Sequence, residues 1–194
     1  CKTPHIDQLA AEGMKFNKTT SAKFSPLIYP LVELWQFSPS NYGGFFTIPS
    51  AEEIENAKTL CDLSAISIDE ENKTVTKLFD GVKIDLGGIA KGYASDKVNH
   101  ILKDAGVTSG YVSVGGSSIY VFDVPDYLAV THPRKKDAEI ITILPHVVKD
   151  KSVSTSGDYQ RFYISNQKRY SHVIDPQTGA PIDTGFSSVT VIGE

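Results

Sequence analysis

A series of short β-prone segments fills the chain after Gly110 and most constrains its fold. Turns rich in Gly, Asn, Asp and Pro separate these segments, and few helical patterns lie between them. Parallel sheets need crossover helices between their strands, so this pattern predicts an α+β fold with a mostly antiparallel sheet and a few packed helices. The predicted strands are Tyr111–Val114, Ser118–Phe122, Tyr127–Thr131, Glu139–Leu144, Phe162–Ser165, Tyr170–Ile174 and Ser188–Ile192.

The first half of the chain carries the predicted helices. Thr3 and Pro4 are suited to begin a helix, and Gly13 to end it. A second helix is predicted from Ser50, which forms a capping-box pattern with Glu53, to near Leu60.

A third helix is predicted after Gly87-Gly88, with Gly106 as its end. Its apolar face is expected to consist of Ala94, Val98, Ile101, Leu102 and Ala105. Ahead of this helix, the sequence predicts a hairpin of 64–68 with 74–78 and a short strand over Val82–Leu86.

The charge balance argues against nucleic acid as a general partner. Lys and Arg number 19 against 23 Asp and Glu, giving a net charge of −4. The sequence has no apolar run of the roughly 18 residues that a membrane-spanning helix needs. Cys1 leaves two alternatives open, the lipidated first residue of a mature lipoprotein and the start of a fragment, and the fragment is preferred.

The first polar motif is Asp85-Leu-Gly-Gly-Ile-Ala-Lys-Gly-Tyr-Ala94. It is predicted to span the end of a strand, a Gly-Gly break and the start of a helix. A helix N-terminus offers backbone N–H groups to a phosphate, and Lys91 is long enough to reach a phosphate oxygen. Glycines in such a place also serve close packing alone. The spacing fits neither a Walker loop nor a dinucleotide fingerprint.

Two further motifs follow in the strand-rich half. Ser154-Thr-Ser-Gly-Asp-Tyr159 supplies hydroxyls for a diphosphate, or forms a plain turn capped by those hydroxyls. Ser171-His-Val-Ile-Asp-Pro-Gln-Thr-Gly179 places His172 after a predicted strand, where a histidine can act as a general base. The alternatives are that His172 only bonds the turn and that Asp175 only forms an Asx turn.

Together these motifs resemble the FAD:protein FMN transferases, the ApbE family, in order and spacing. The resemblance also covers Val112-Ser-Val-Gly-Gly116, Ser188-Val-Thr-Val-Ile192 and Pro30-Leu-Val-Glu-Leu-Trp-Gln-Phe37, and runs from about residue 29 to 194. Residues 1–28 are atypical, and 3–16 resemble a sulfatase segment without the sulfatase nucleophile pattern. We therefore expect a single ApbE-like domain over 1–194.

The resemblance implies a reaction, a small-molecule substrate with a metal ion, a protein acceptor and a place in the cell. Such enzymes bind FAD and Mg²⁺, release AMP and attach FMN to a Ser or Thr of a flavoprotein; some hydrolyse FAD instead. The family's older name is thiamine biosynthesis lipoprotein, and it implies the bacterial envelope or periplasm.

Site roles carry over residue by residue. Asp85, Lys91 and Ile174 match flavin-nucleotide contacts, and Gly88 matches a backbone carbonyl at the metal. His172 matches the proposed base. Thr155 and Ser156 are expected near the phosphates.

In one respect this sequence departs from the family pattern, namely in the residues that bind the metal ion. The family's Asp and Thr metal ligands stand on a helix beyond the strand that matches Ser188–Ile192, and the sequence ends at Glu194. One carbonyl cannot hold Mg²⁺, which prefers near-octahedral oxygen ligation. The alternative to a transferase is therefore a non-catalytic FAD- or FMN-binding remnant.

Overall fold

A computed structural model describes residues 6–123, 127–135, 140–145 and 149–193. The chain divides into two compact units, Cys1–Ile89 with Arg161–Asp183, and Ala90–Gln160 with Thr184–Glu194. Every strand pair assigned in these ranges is antiparallel, which confirms the predicted α+β class. No helix of this part of the chain combines the length and the apolar character needed to cross a membrane.

Among its described residues, the first unit contains three α-helices, a 3₁₀ turn at Leu63–Ala65 and three antiparallel strand pairs. The helices are α1 (Ile6–Thr19), α2 (Tyr29–Leu34) and α3 (Ala51–Thr59). The paired strands are β1 (Ile66–Asp69) with β2 (Thr74–Lys77), β8 (Phe162–Ser165) with β9 (Lys168–Ser171), and β10 (Ile174–Asp175) with β11 (Ala180–Pro181).

The second unit is built on a four-stranded sheet. Its strand order is β12-β7-β4-β3. The strands are β3 (Gly110–Val114), β4 (Ser118–Asp123), β7 (Lys151–Gly157) and β12 (Ser188–Gly193), and a separate pair comprises β5 (Tyr127–Thr131) and β6 (Ile140–Pro145). Helix α4 (Gly87–Asp104) belongs to this unit from Ala90 onward.

The structure confirms the predicted start of α3, the predicted end of α4 and the predicted hairpin, which all depend on residues close in sequence. Ser50 and Glu53 form the predicted capping box at the start of α3, whose C-cap is Leu60. The predicted hairpin forms as β1 and β2, and Gly106 follows α4 with a positive φ of 81°. Thr3 and Pro4 lie outside the described residues.

Two helix predictions were wrong in detail. Gly13 does not end α1 but lies within it. A Cβ at this position would lie 3.0 Å from the Pro26 Cβ, so the glycine permits α1 to pack closely against Pro26. On α4, Val98 and Ile101 are exposed, whereas Ser95 and Asn99 are buried. Helical spacing identified an apolar stripe, but burial follows a different face.

Two strand predictions were also wrong, and one strand was missed. Val82–Leu86 belongs to no ladder, and the Asp85 N–H donates instead to the Pro26 carbonyl at 2.7 Å. The predicted strand Tyr170–Ile174 is interrupted at His172 and Val173. The hydroxyl motif at 154–157 is not a turn, because it forms the end of β7.

Candidate functional site

Two predicted site residues of the first unit lie where α4 begins: Asp85 in the loop before the helix, and Gly88 in its first turn. Asp85 Oδ1 accepts a hydrogen bond from the Gly87 N–H at 2.7 Å, so this carboxylate satisfies one of the donors at the helix start. A Cβ on Gly88 would lie 2.8 Å from Cε2 of Phe24. A side chain at this position would therefore have to displace the Phe24 ring, so the glycine permits this close packing, whatever its carbonyl binds.

The segment after β9 positions the predicted base in the same unit. The His172 N–H donates to the Arg161 carbonyl at 3.1 Å, and His172 Nδ1 lies 3.2 Å from the same oxygen. A proton on Nδ1 would donate to this carbonyl and leave Nε2 as the basic nitrogen of the neutral ring. The Arg161 carbonyl thus holds the ring in place and favours the tautomer that a general base needs.

Ile174, the predicted flavin contact, is buried in the first unit. It belongs to an apolar cluster with Leu31, Trp35 and Phe37. Its neighbour Asp175 forms the Asx turn, because Asp175 Oδ1 accepts from the Gln177 N–H at 2.8 Å. The turn ends at Gly179, whose carbonyl accepts a hydrogen bond from Trp35 Nε1 at 2.8 Å.

The carboxylate of Asp175 is the titrating group of this turn. Partial burial raises its pKa, but hydrogen bonds from the Gln177 backbone and from Lys23 outweigh burial and hold the pKa below the ordinary 3.8. Lys23 Nζ lies 3.0 Å from Asp175 Oδ2. The charged carboxylate therefore stabilises the folded turn.

We expect Asp175→Asn to lower the free energy of unfolding by about 1 kcal/mol at neutral pH. Because the folded-state pKa is depressed, this contribution is present above the ordinary pKa and is lost as the pH falls through the folded value. Urea unfolding at several pH values should show the wild-type advantage shrinking below pH 3.8. Asp183→Asn, in an exposed ion pair with Lys168, is the control, and an equal loss in both variants would contradict the account.

The second unit brings together Lys91 and Thr155 through a residue that the sequence motifs did not single out. Lys91 Nζ donates to Ser117 Oγ at 2.5 Å. The Thr155 N–H donates to the Ser117 carbonyl at 2.9 Å. Ser117 follows the Gly115-Gly116 pair, and that pair was the available signal for a turn that approaches other groups closely.

Thr155 and Ser156 lie on opposite faces of β7. Thr155 Oγ1 lies 2.9 Å from Thr190 Oγ1 on the neighbouring strand β12, whereas Ser156 is exposed. Strand alternation therefore separates the two hydroxyls that the sequence treated as one group.

The part of the chain that the structure describes contains no group of three His, Cys, Asp or Glu side chains able to hold a metal ion. Gly88 can contribute only a backbone oxygen. Mg²⁺ prefers near-octahedral oxygen ligation, so these residues do not by themselves fit a resident Mg²⁺ site.

The protein-family model described as "ApbE family" matches residues 2–194 of this chain. The chain belongs to the ApbE family. The match includes residues 2–28, which the motifs had marked as atypical of this family.

Curated ApbE relatives carry the name FAD:protein FMN transferase. The protein of Buchnera aphidicola (subsp. Schizaphis graminum) is 33% identical over 189 residues, which cover 93% of this chain and 53% of that protein. The Escherichia coli K12 protein is 30% identical over 190 residues, covering 95% of this chain and 53% of that protein. This chain thus spans about half the length of the curated relatives it matches.

Solved ApbE structures have the same fold. The ApbE protein of Thermotoga maritima superposes with a TM-score of 0.81 at 33% identity, covering 98% of this chain and 61% of that one. The apo form of the Pseudomonas stutzeri flavinyl transferase ApbE gives 0.79 at 32% identity, covering 98% and 58%. The ApbE-like fold expected from the motifs is confirmed.

Proposed function

We propose that this chain binds FAD and takes part in transferring FMN to a Ser or Thr hydroxyl of a flavoprotein acceptor, with release of AMP. The observation that carries the proposal is the arrangement around Ser117, which fixes the Lys91 ammonium and the Thr155 backbone at one turn. A diphosphate is recognised by a cation together with hydrogen-bond donors, and both are present in this unit. Membership of the ApbE family and the names of its relatives support the same reaction.

The proposed roles follow the chemistry of each group. Lys91 offsets negative charge on the diphosphate, with the Thr155 hydroxyl as a further donor. Ser156, on the opposite face of β7, has no role in this arrangement. Asp85 and Ile174 contact other parts of the flavin nucleotide. These assignments rest on the motifs alone.

His172 is the proposed general base. The acceptor hydroxyl oxygen attacks the phosphorus that carries the flavin, forming a new P–O bond while the bond to the AMP oxygen breaks. The hydroxyl proton passes to His172, and AMP leaves with the electron pair of the broken bond. A hydroxyl is a weak nucleophile, so the positioned base accounts for much of the expected rate.

Dependence on Mg²⁺ belongs to the proposal through family resemblance alone. Gly88 is the residue of this chain that would contribute an oxygen to the ion. The envelope location likewise stays a prediction from the family.

A non-catalytic flavin binder is the second candidate. It rests on the same motifs for the flavin nucleotide and needs neither a general base nor a metal ion. Such a binder would retain FAD without cleaving it.

Product analysis separates the two candidates. The protein is incubated with FAD, with and without MgCl₂, and with a flavoprotein domain containing a Ser or Thr acceptor site. A transferase produces AMP and an acceptor whose intact mass includes FMN, or AMP and free FMN when water is the acceptor. Bound FAD with no AMP under any of these conditions would contradict the transferase and support the binder.

A further inference from the structure

Ser117 occupies a turn whose shape depends on glycine. The turn joins β3 to β4, and Gly115 and Gly116 have φ values of +64° and +71°. Residues other than glycine rarely adopt these positive φ values, so two adjacent glycines favour the tight turn. Ser117 is therefore presented at a fixed point just before β4 begins.

The stem of Lys91 passes close to this turn. A Cβ added to Gly115 would lie 3.5 Å from Lys91 Cδ, and Lys91 Nζ donates to Ser117 Oγ. Lys91 is otherwise an exposed side chain with many accessible rotamers. The hydroxyl of Ser117 therefore restricts the position of the ammonium group.

The backbone of Ser117 is held in turn by β7. Its carbonyl accepts from the Thr155 N–H at 2.9 Å, and the next residue, Ser118, pairs with Ser154 in the β4–β7 ladder. A restraint on Lys91 that comes from a ladder-anchored residue is stiffer than one from a free loop. The sheet thus determines where the ammonium is held.

We propose that Ser117 is a positioning residue for Lys91. Its hydroxyl holds the Lys91 ammonium group where that group meets a phosphate oxygen of the flavin nucleotide. The part that concerns the flavin rests on the proposed function. Ser117 itself needs no contact with the nucleotide, because its effect is transmitted through Lys91. A hydroxyl at this position is the required feature, so Thr should replace Ser and Ala should not.

A double-mutant cycle on FAD affinity tests this coupling. Ser117→Ala is expected to raise the Kd for FAD about fivefold, and Ser117→Thr to restore it, as expected for one hydrogen bond to a charged group. In a Lys91→Ala background, Ser117→Ala should have no further effect. The same increase in Kd in both backgrounds would overturn the proposal, because Ser117 would then act without Lys91.

A measurement without FAD tests the contact itself. Nitrogen NMR detects lysine ammonium groups whose protons exchange slowly because they are hydrogen-bonded, and Lys91→Arg assigns the signal. We expect the Lys91 signal in the wild type, in Ser117→Thr and in the control Ser113→Ala, an exposed serine on β3. It should be lost in Ser117→Ala.

The two measurements separate the inference from the function on which it rests. A Lys91 signal that persists in Ser117→Ala overturns the positioning role, whatever binds. If the signal behaves as expected but Lys91→Ala binds FAD as tightly as wild type, the proposed role of Lys91 in FAD binding fails while the Ser117 contact stands.

Discussion

Replacing His172 by Ala is expected to reduce AMP formation and flavin transfer by at least about 100-fold, the usual minimum for loss of a positioned base. FAD affinity should change by less than about twofold, because the proposed role of the imidazole is proton transfer rather than binding. The ring is held next to the Arg161 carbonyl, with Nδ1 at 3.2 Å from that oxygen. AMP is measured by chromatography and FAD binding by flavin fluorescence.

His100→Ala is the matched control. His100 is an exposed histidine on α4 whose Nδ1 lies 2.6 Å from the Asp96 carbonyl, so it also bonds a backbone oxygen but has no proposed role. Its variant should retain wild-type turnover. Equal turnover in wild type and His172→Ala, with active protein in both, would remove His172 from the mechanism.

Trp35→Ala is expected to have the largest effect on stability, lowering the free energy of unfolding by about 3–5 kcal/mol. Trp35 is only 3% exposed. Its ring stacks on Tyr170 and Phe46 at centroid distances of 5.8 and 6.4 Å, and its N–H bonds the Gly179 carbonyl. The change removes a large buried ring and leaves that carbonyl without this donor.

Urea denaturation followed by circular dichroism measures this loss as a lower midpoint. Phe45→Ala is the control within the same unit, because Phe45 is 92% exposed and its loss should cost less than about 0.5 kcal/mol. A Trp35→Ala midpoint equal to that of Phe45→Ala would contradict the packing described for this cluster.

The sequence predicted those parts of the fold that local chemistry determines. The Ser50–Glu53 capping box and the end of α4 just before Gly106, whose φ is positive, each depend on a few neighbouring residues. The Asx turn at Asp175, one of the alternatives that the sequence left open, is equally local. Side-chain and backbone geometry over a single turn of chain is enough to favour them. Composition and segment spacing likewise sufficed for the α+β class.

Features that depend on distant partners were not predictable from local patterns. The apolar alternation of Val82–Leu86 is that of a strand, but the Asp85 N–H bonds the Pro26 carbonyl and no ladder forms. The polar run Ser154–Ser156 suggested a turn, yet pairing with β4 and β12 makes it a strand. In both cases the backbone partner, rather than residue type, decides the structure.

The candidate site also depends on contacts between residues distant in sequence, which local patterns do not predict. Motifs named Lys91 and Thr155 individually, but the residue that links them, Ser117, carries no signal beyond the preceding glycine pair. Serine is common in turns, so its type does not distinguish a structural from a positioning role. Only the contacts of its hydroxyl and its carbonyl identify it.

The central claim, that this chain binds FAD, is tested most directly by titrating the protein against FAD and following flavin fluorescence, with and without MgCl₂. The account predicts saturable binding that weakens in Lys91→Ala, by about tenfold for loss of a charge-assisted phosphate contact, and remains unchanged in the control Lys73→Ala in the β1–β2 turn. Absence of saturable binding by the folded wild-type protein in either condition would contradict it.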